Sequence, residues 1–287
     1  MNRPLALLIA VLLTCVSLTS VGLAAELGRL SFHLSAGPEN RLQLSLSDDG
    51  ERDNRASSSF EIRDLRGLDR AALVGPASSP VNFALVREAG RLDCVGNGRN
   101  RAATGSCRFS PDAAFADLLA ARRIGRPDRR EAFGLAMVGA SRALVEAIAA
   151  ARYPAPSIDD LTALAAIEVT PAYIAELSAG GHRPTRISDL IAFKALGVTP
   201  AYLGSLRSVG YDRLSANEVV QLKALGVTAE YIAGLQRRGY RNVPVGKLIE
   251  LKAMGVTPAE VGSLRSGGWM SISADELIRL RLAGLLP

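Results

Sequence analysis

The chain has 287 residues, of which 48% are hydrophobic, 22% charged and 5% aromatic, and its formal net charge is +6. That much apolar material excludes a disordered chain, and the length exceeds a typical single domain. Two histidines and three cysteines leave no set with metal-ligand spacing, and the mild basic balance permits attraction to anionic surfaces without requiring it.

The first 25 residues read as a secretory signal. Arg3 supplies a positive start, Leu5 to Leu13 an apolar run, and small residues lead to Ala24-Ala25. Cleavage there is expected, with residues 1–25 as signal peptide and a periplasmic or secreted mature chain. An uncleaved membrane anchor, or lipidation at Cys15, are the alternatives; Thr14 stands where lipidation sites carry Gly, Ala or Ser. Losing Arg3 and no acid brings the net charge from +6 to +5.

Residues 26–110 alternate apolar and polar side chains, as in Leu30, Phe32, Leu34 and again in Leu42, Leu44, Leu46. A period of two puts each set on one face of a half-buried strand, so a small antiparallel β domain is expected, its apolar face covered by another sheet or by the first helices. Ser47 to Ser59, rich in Asp and Ser, reads as a solvated loop, and its Asp48, Asp49, Asp53 and Asn54 do not match a calcium loop. Glu88-Ala89-Gly90 reads as a hairpin connection. Gly96 to Gly105 reads as a longer polar one, with Gly96-Asn97-Gly98 as a turn. That connection would set Cys94 opposite Cys107, and an even count of cysteines in an exported chain favours a disulfide between them.

Residues 111–287 carry a 29-residue period, opened by Leu161, Leu190, Val219, Leu248 and Leu277. Gly197-Val198-Thr199, Gly226-Val227-Thr228 and Gly255-Val256-Thr257 recur within it. In the copy from Ser215 to Tyr240, Ser215 and Glu218 have capping-box spacing, and Val219, Leu222 and Leu225 share one face. Gly226 stops that helix, Thr228 caps a second one, and Tyr231, Ile232 and Leu235 form the second helix's apolar face. One such unit cannot offset the cost of ordering its own backbone, so the copies must stack into an α-helical hairpin array. The array begins with a half unit around Asp112, Phe115 and Leu119 and ends with a lone helix from Ser273 to Ala283. The apolar stretch from Ala132 to Ala151 follows the repeat register, and Arg142 and Glu146 argue against a membrane span. The expected fold is therefore α+β.

The Val-Thr-Pro-x-Tyr-Ile helices, and the strand–Gly–strand segment ending Phe109-Ser110-Pro111-Asp112, resemble exported bacterial proteins of unassigned function. Similar segments occur on the envelope-facing part of membrane zinc peptidases related to beta-lactam sensors. The resemblance covers roughly residues 80–287 and implies architecture; no His-Glu-x-x-His is present, so it implies no peptidase activity.

No catalytic set stands out. His182 fills the slot of Tyr153, Tyr211, Tyr240 and Trp269, which reads as packing, and His33 lies on the polar side of a strand. The aromatic ladder Phe115, Tyr173, Tyr202, Tyr231 reads as shared core. Lys194, Lys223, Lys252 and Arg281 hold one slot in four copies. They are either a stripe for an acidic protein or anionic polymer, or a solubilising face in which Lys223 contributes little to stability. A second cluster, Arg122, Arg123, Arg126, Arg129 and Arg130, reads as a linker partly neutralised by Asp128 and Glu131. The function expected is that of a non-enzymatic envelope protein whose array mediates protein–protein interaction, without cofactor, metal or nucleic acid. A hydrolase with a site in the β domain and a purely structural spacer are the rivals.

Overall fold

The computed structural model describes residues 29–37, 41–48, 55–181, 183–269 and 272–285. The signal segment with Cys15, the acids at Asp49 and Asp53 with Asn54, and His182 lie outside the described residues.

The chain is α+β. Seven strands form one antiparallel sheet: β1 (Leu30–Ala36), β2 (Arg41–Asp48), β3 (Arg55–Glu61), β4 (Leu65–Arg66), β5 (Ser79–Arg87), β6 (Gly90–Arg99) and β7 (Ala102–Pro111). Their spatial order is β3-β2-β1-β7-β6-β5-β4. β3 and β4 thus stand at opposite ends of the sheet although only the 3-10 turn Ile62–Asp64 separates them in the chain. Four residue steps reach at most about 14 Å, whereas a flat sheet of seven strands is about 29 Å across. The sheet must therefore roll until its edges meet. Arg87 on β5 lies 5.8 Å over the Phe60 ring on β3, and its Nη1 is 3.6 Å from Asp64 Oδ1. The cover, expected from another sheet or from the first helices, comes from the sheet's own curvature, from the short helix α1 (Ala71–Val74), whose Leu73 is buried, and at β7 from the helix Arg129–Val138.

Phe32 and Phe83 meet edge-to-face inside the roll, with centroids 5.2 Å apart. The bend that brings them together is at the cross-strand pair Gly96 and Gly105. A Cβ on Gly96 would stand 2.1 Å from the Thr104 carbonyl oxygen and 2.9 Å from the Phe32 ring, so only glycine fits. Gly96-Asn97-Gly98 is thus not a turn but part of β6. The connection to β7 is two residues long, Asn100 and Arg101, with φ of 50° and 67°. This is hairpin geometry that the glycines on either side concealed. The segment read as a loop up to Ser59 is likewise strand from Arg55 onward. Three successive serines give no alternation to read. Pairing with β2 holds them, including a 2.5 Å bond from Gln43 Nε2 to Ser57 Oγ. Cys94 and Cys107 pair directly across β6 and β7, with Cα atoms 4.1 Å apart, and are joined by a disulfide buried in the core.

Twelve helices follow among the described residues: α2 (Ala113–Ala121), α3 (Arg129–Val138), α4 (Arg142–Ala150), α5 (Ile158–Ala166), α6 (Pro171–Ala179), α7 (Ile187–Ala195), α8 (Pro200–Ser208), α9 (Ala216–Ala224), α10 (Ala229–Arg237), α11 (Val245–Ala253), α12 (Pro258–Ser266) and α13 (Ala274–Leu282). Odd helices pack on odd ones from α3 to α13, and even helices on even ones, for example α4 on α6 and α10 on α12. The two layers bury Leu161, Leu190, Val219, Leu248 and Leu277 between them. Thr170, Thr199, Thr228 and Thr257 each cap a second helix by accepting a backbone N–H three residues on. Gly139, Gly197, Gly226 and Gly255 stop first helices with φ between 66° and 72°; in the unit where glycine is missing, Glu168 adopts φ 58° in that slot. α3 and α4 meet at a 90° bend, so the stretch from Ala132 to Ala151 is two helices, and no single helix among the described residues is long and apolar enough to cross a membrane.

Sheet and array share one core. Phe109 of β7 packs edge-to-face on Phe133 of α3 at 5.4 Å, and Arg129 Nη2 donates to the Phe109 carbonyl at 2.6 Å. Two of the arginines around this junction are neutralised, but not by the acids nearest in sequence. Arg122 pairs with Glu146 and Arg126 with Asp117, while Asp128 and Glu131 are occupied in the capping box of α3.

Candidate protein-interaction surface

The ladder of cations turns out to be joined to the ladder of aromatics. Lys194 Nζ stands 5.2 Å over the Tyr173 ring, Lys223 Nζ 4.5 Å over Tyr202, and Lys252 Nζ 4.7 Å over Tyr231. In each pair the lysine comes from the unit after the tyrosine, at the end of the next odd helix. Each tyrosine hydroxyl donates to a loop carbonyl of that following unit: Tyr173 to Val198 at 2.7 Å, Tyr202 to Val227 at 2.9 Å and Tyr231 to Val256 at 3.0 Å. Burial pushes the three phenols up to about 12, so they stay protonated donors beyond the pH at which a free phenol ionises. In the last unit the same two slots hold Glu260 and Arg281, whose Oε1 and Nη2 lie 2.5 Å apart. Burial works against the Glu260 carboxylate, but hydrogen bonds from Arg281 and from Thr257 outweigh it and hold the carboxyl below the usual range.

Two further contacts repeat with the units. Tyr211 donates to the Val243 carbonyl at 2.7 Å, and Tyr240 to that of Ile272 at 2.5 Å. On the other layer, long side chains reach back 27 residues to helix-end carbonyls: Arg207 to Gly180 at 2.7 Å, Gln236 to Val209 at 2.8 Å, and Arg265 to Arg238. Ser178 is too short for that slot, and Arg183 takes its place by donating to Ala151. Every polar atom so engaged belongs to the boundary between units. The units are therefore fastened on both sides as well as packed, and Lys194, Lys223, Lys252 and Arg281 are part of that fastening.

Exposed apolar side chains recur at the ends of the odd helices. Leu196, Leu225 and Met254 close α7, α9 and α11 and are 37%, 38% and 38% exposed. Leu225 was expected on the buried face with Val219 and Leu222, which are indeed buried. Three helical steps turn through about 300°, so each such step drifts about 60° off the face, and the second one carries Leu225 to the surface. The preceding positions, Ala195, Ala224 and Ala253, are exposed as well. A lone exposed leucine is ordinary, but three large apolar side chains in one slot of a rigid array are a spaced apolar row. The signal for it was present in the 29-residue spacing and was absorbed into the helix pattern.

His33 is exposed on the outer side of β1, cross-strand from Ser45 and Thr104. The hollow beside it is lined by Ser31, Ser47 and Ser57 in addition, and by the edges of Phe32 and Leu46. Its polar lining is hydroxyl and imidazole with no carboxylate. Among the described residues no three His, Cys, Asp or Glu side chains are grouped so as to hold a metal ion.

Compared with known proteins, the chain matches no family model, and no curated protein matches it either.

Proposed function

We propose that this is an exported, non-enzymatic protein of the cell envelope whose helical array binds another protein. The observation that carries the reading is the row Leu196, Leu225 and Met254. These apolar side chains stand exposed at one slot of three consecutive units whose spacing is fixed by the tyrosine and lysine contacts. A rigid row of anchors with cations in the last turn of the same helices suits a partner with apolar side chains and an acidic rim. The compartment follows from the signal-type N-terminal segment, and the sheet domain serves as the base from which the array projects.

The test is affinity capture from envelope extract with the chain from residue 26 as bait, beside the triple variant L196S/L225S/M254S. A protein retained by the first and lost by the second, with both baits showing the same helical content and melting temperature, supports the reading. Equal capture by both moves the binding surface elsewhere.

A further inference from the structure

We propose that the junction between α10 and α12 is a binding site for a phosphate-type oxyanion, apart from the protein-binding row. Arg237, Arg238, Arg241 and Arg265 line one surface hollow there, floored by Gly239 and Gly262. Among the described residues none of these four arginines forms an ion pair, in a chain where other clustered arginines, such as Arg122 and Arg126, do. Four guanidinium groups gathered without a carboxylate repel one another, and a multivalent anion relieves that repulsion.

Two glycines make room for the guanidiniums. A Cβ on Gly262 would stand 2.7 Å from Cζ of Arg238, and one on Gly239 would stand 2.4 Å from Nη1 of Arg265. Both guanidiniums therefore lie close against bare backbone. Arg265 is held further by donating to the Arg238 carbonyl, which leaves its other N–H groups for a ligand. Planar guanidinium forks suit the oxygen pairs of phosphate or sulfate, and they bind them in two-point fashion.

The repeat itself supplies the control for chance. In the preceding junction the slots of Arg237, Arg238 and Arg241 hold Ser208, Val209 and Asp212; Gln236 stands where Arg265 does, and Ala233 where Gly262 does. A face kept charged for solubility alone would repeat along the array. The full set of four arginines is confined to one boundary: the junction of α6 and α8 keeps both glycines, as Gly181 and Gly204, but holds Ala179, Gly180, Arg183 and Arg207 in the arginine slots.

The experiment uses the chain from residue 26 and inorganic pyrophosphate as probe, followed by calorimetry at low salt. Saturable one-to-one binding is expected. R238Q/R241Q should weaken it at least tenfold, and G262A, which keeps every charge but displaces the Arg238 guanidinium, should weaken it severalfold. R66Q/R99Q, which removes the same charge from the sheet domain, should leave it unchanged. A parallel arm with phosphatidylglycerol and phosphatidylcholine vesicles separates a lipid headgroup from a soluble phosphate compound as the source: retention on the former alone, lost in R238Q/R241Q, assigns the headgroup. No saturable binding of pyrophosphate or of phosphatidylglycerol vesicles, or equal losses in R238Q/R241Q and R66Q/R99Q, overturns the proposal. Because the Leu196 row is untouched, protein capture is unaffected by these substitutions, so the two readings fail separately.

Discussion

Glu260 and Arg281 form an ion pair in the slots where the three preceding units place a tyrosine and a lysine in a cation–π contact. Both residues change together and the link between units persists, which identifies the contact as the conserved element of the architecture rather than either side chain. Lys223→Ala should therefore destabilise the array by about 0.5–1 kcal/mol, more than an unengaged surface residue would. In a double-mutant cycle with Tyr202→Leu, urea unfolding should return a coupling of similar size. Additive losses would mean the ammonium is merely near the ring.

Titration of the tyrosines gives the array an alkaline limit. Tyr173, Tyr202 and Tyr231 have folded pKa values of about 12, above the ordinary 10.0. Between those values the unfolded chain releases protons that the folded chain keeps, so stability is full below pH 10 and lost as pH rises through 12. Ionisation followed by ultraviolet absorbance should coincide with loss of helical signal. Phenolate formation near pH 10 with the helices intact would show the hydroxyls to be solvated.

The Cys94–Cys107 disulfide is buried, so in the native protein it should resist mild reductant until the sheet unfolds. Replacing both cysteines by serine should cost about 3 kcal/mol, the loop-closure value for a link of this separation. Mass spectrometry of the non-reduced protein should find both thiols bonded.

Glu168 keeps φ 58° in the slot that Gly197, Gly226 and Gly255 fill in later units. Side chains bearing a Cβ are strained there by about 1 kcal/mol. Glu168→Gly should raise the midpoint of thermal unfolding, and Gly226→Ala should lower it. The opposite signs at equivalent slots make the pair a check on the repeat register.

Sequence periodicity was enough to place the twelve helices, their threonine caps and the glycine stops, because each rests on local chemistry at fixed spacing. The strands of the β domain were legible where Leu and Phe alternate with polar residues. They were hidden where serines replace that alternation in β3 and where Gly96 serves a bend, and Gly98 the close approach of α1, instead of a turn. The candidate surface was harder. The lysine ladder and the tyrosine ladder were both visible, but their pairing joins residues 21 positions apart, such as Tyr202 and Lys223, across a unit boundary that only stacking creates. The apolar row was masked for a related reason: Leu225 continues the helix pattern of Val219 and Leu222 and leaves the core only at the helix end. The arginine hollow required spatial convergence of α10, α12 and the loop between them.

The most direct test of the central claim is site-specific photocrosslinking in intact cells. Crosslinkers placed at Ala195, Ala224 and Ala253, exposed beside the apolar row, should each yield the same discrete adduct with one envelope protein. Crosslinkers at the exposed sheet positions Arg99 and Arg108 should not. Adducts formed only from the sheet positions, or none from the array, would contradict the assignment of the helical array as the interaction module.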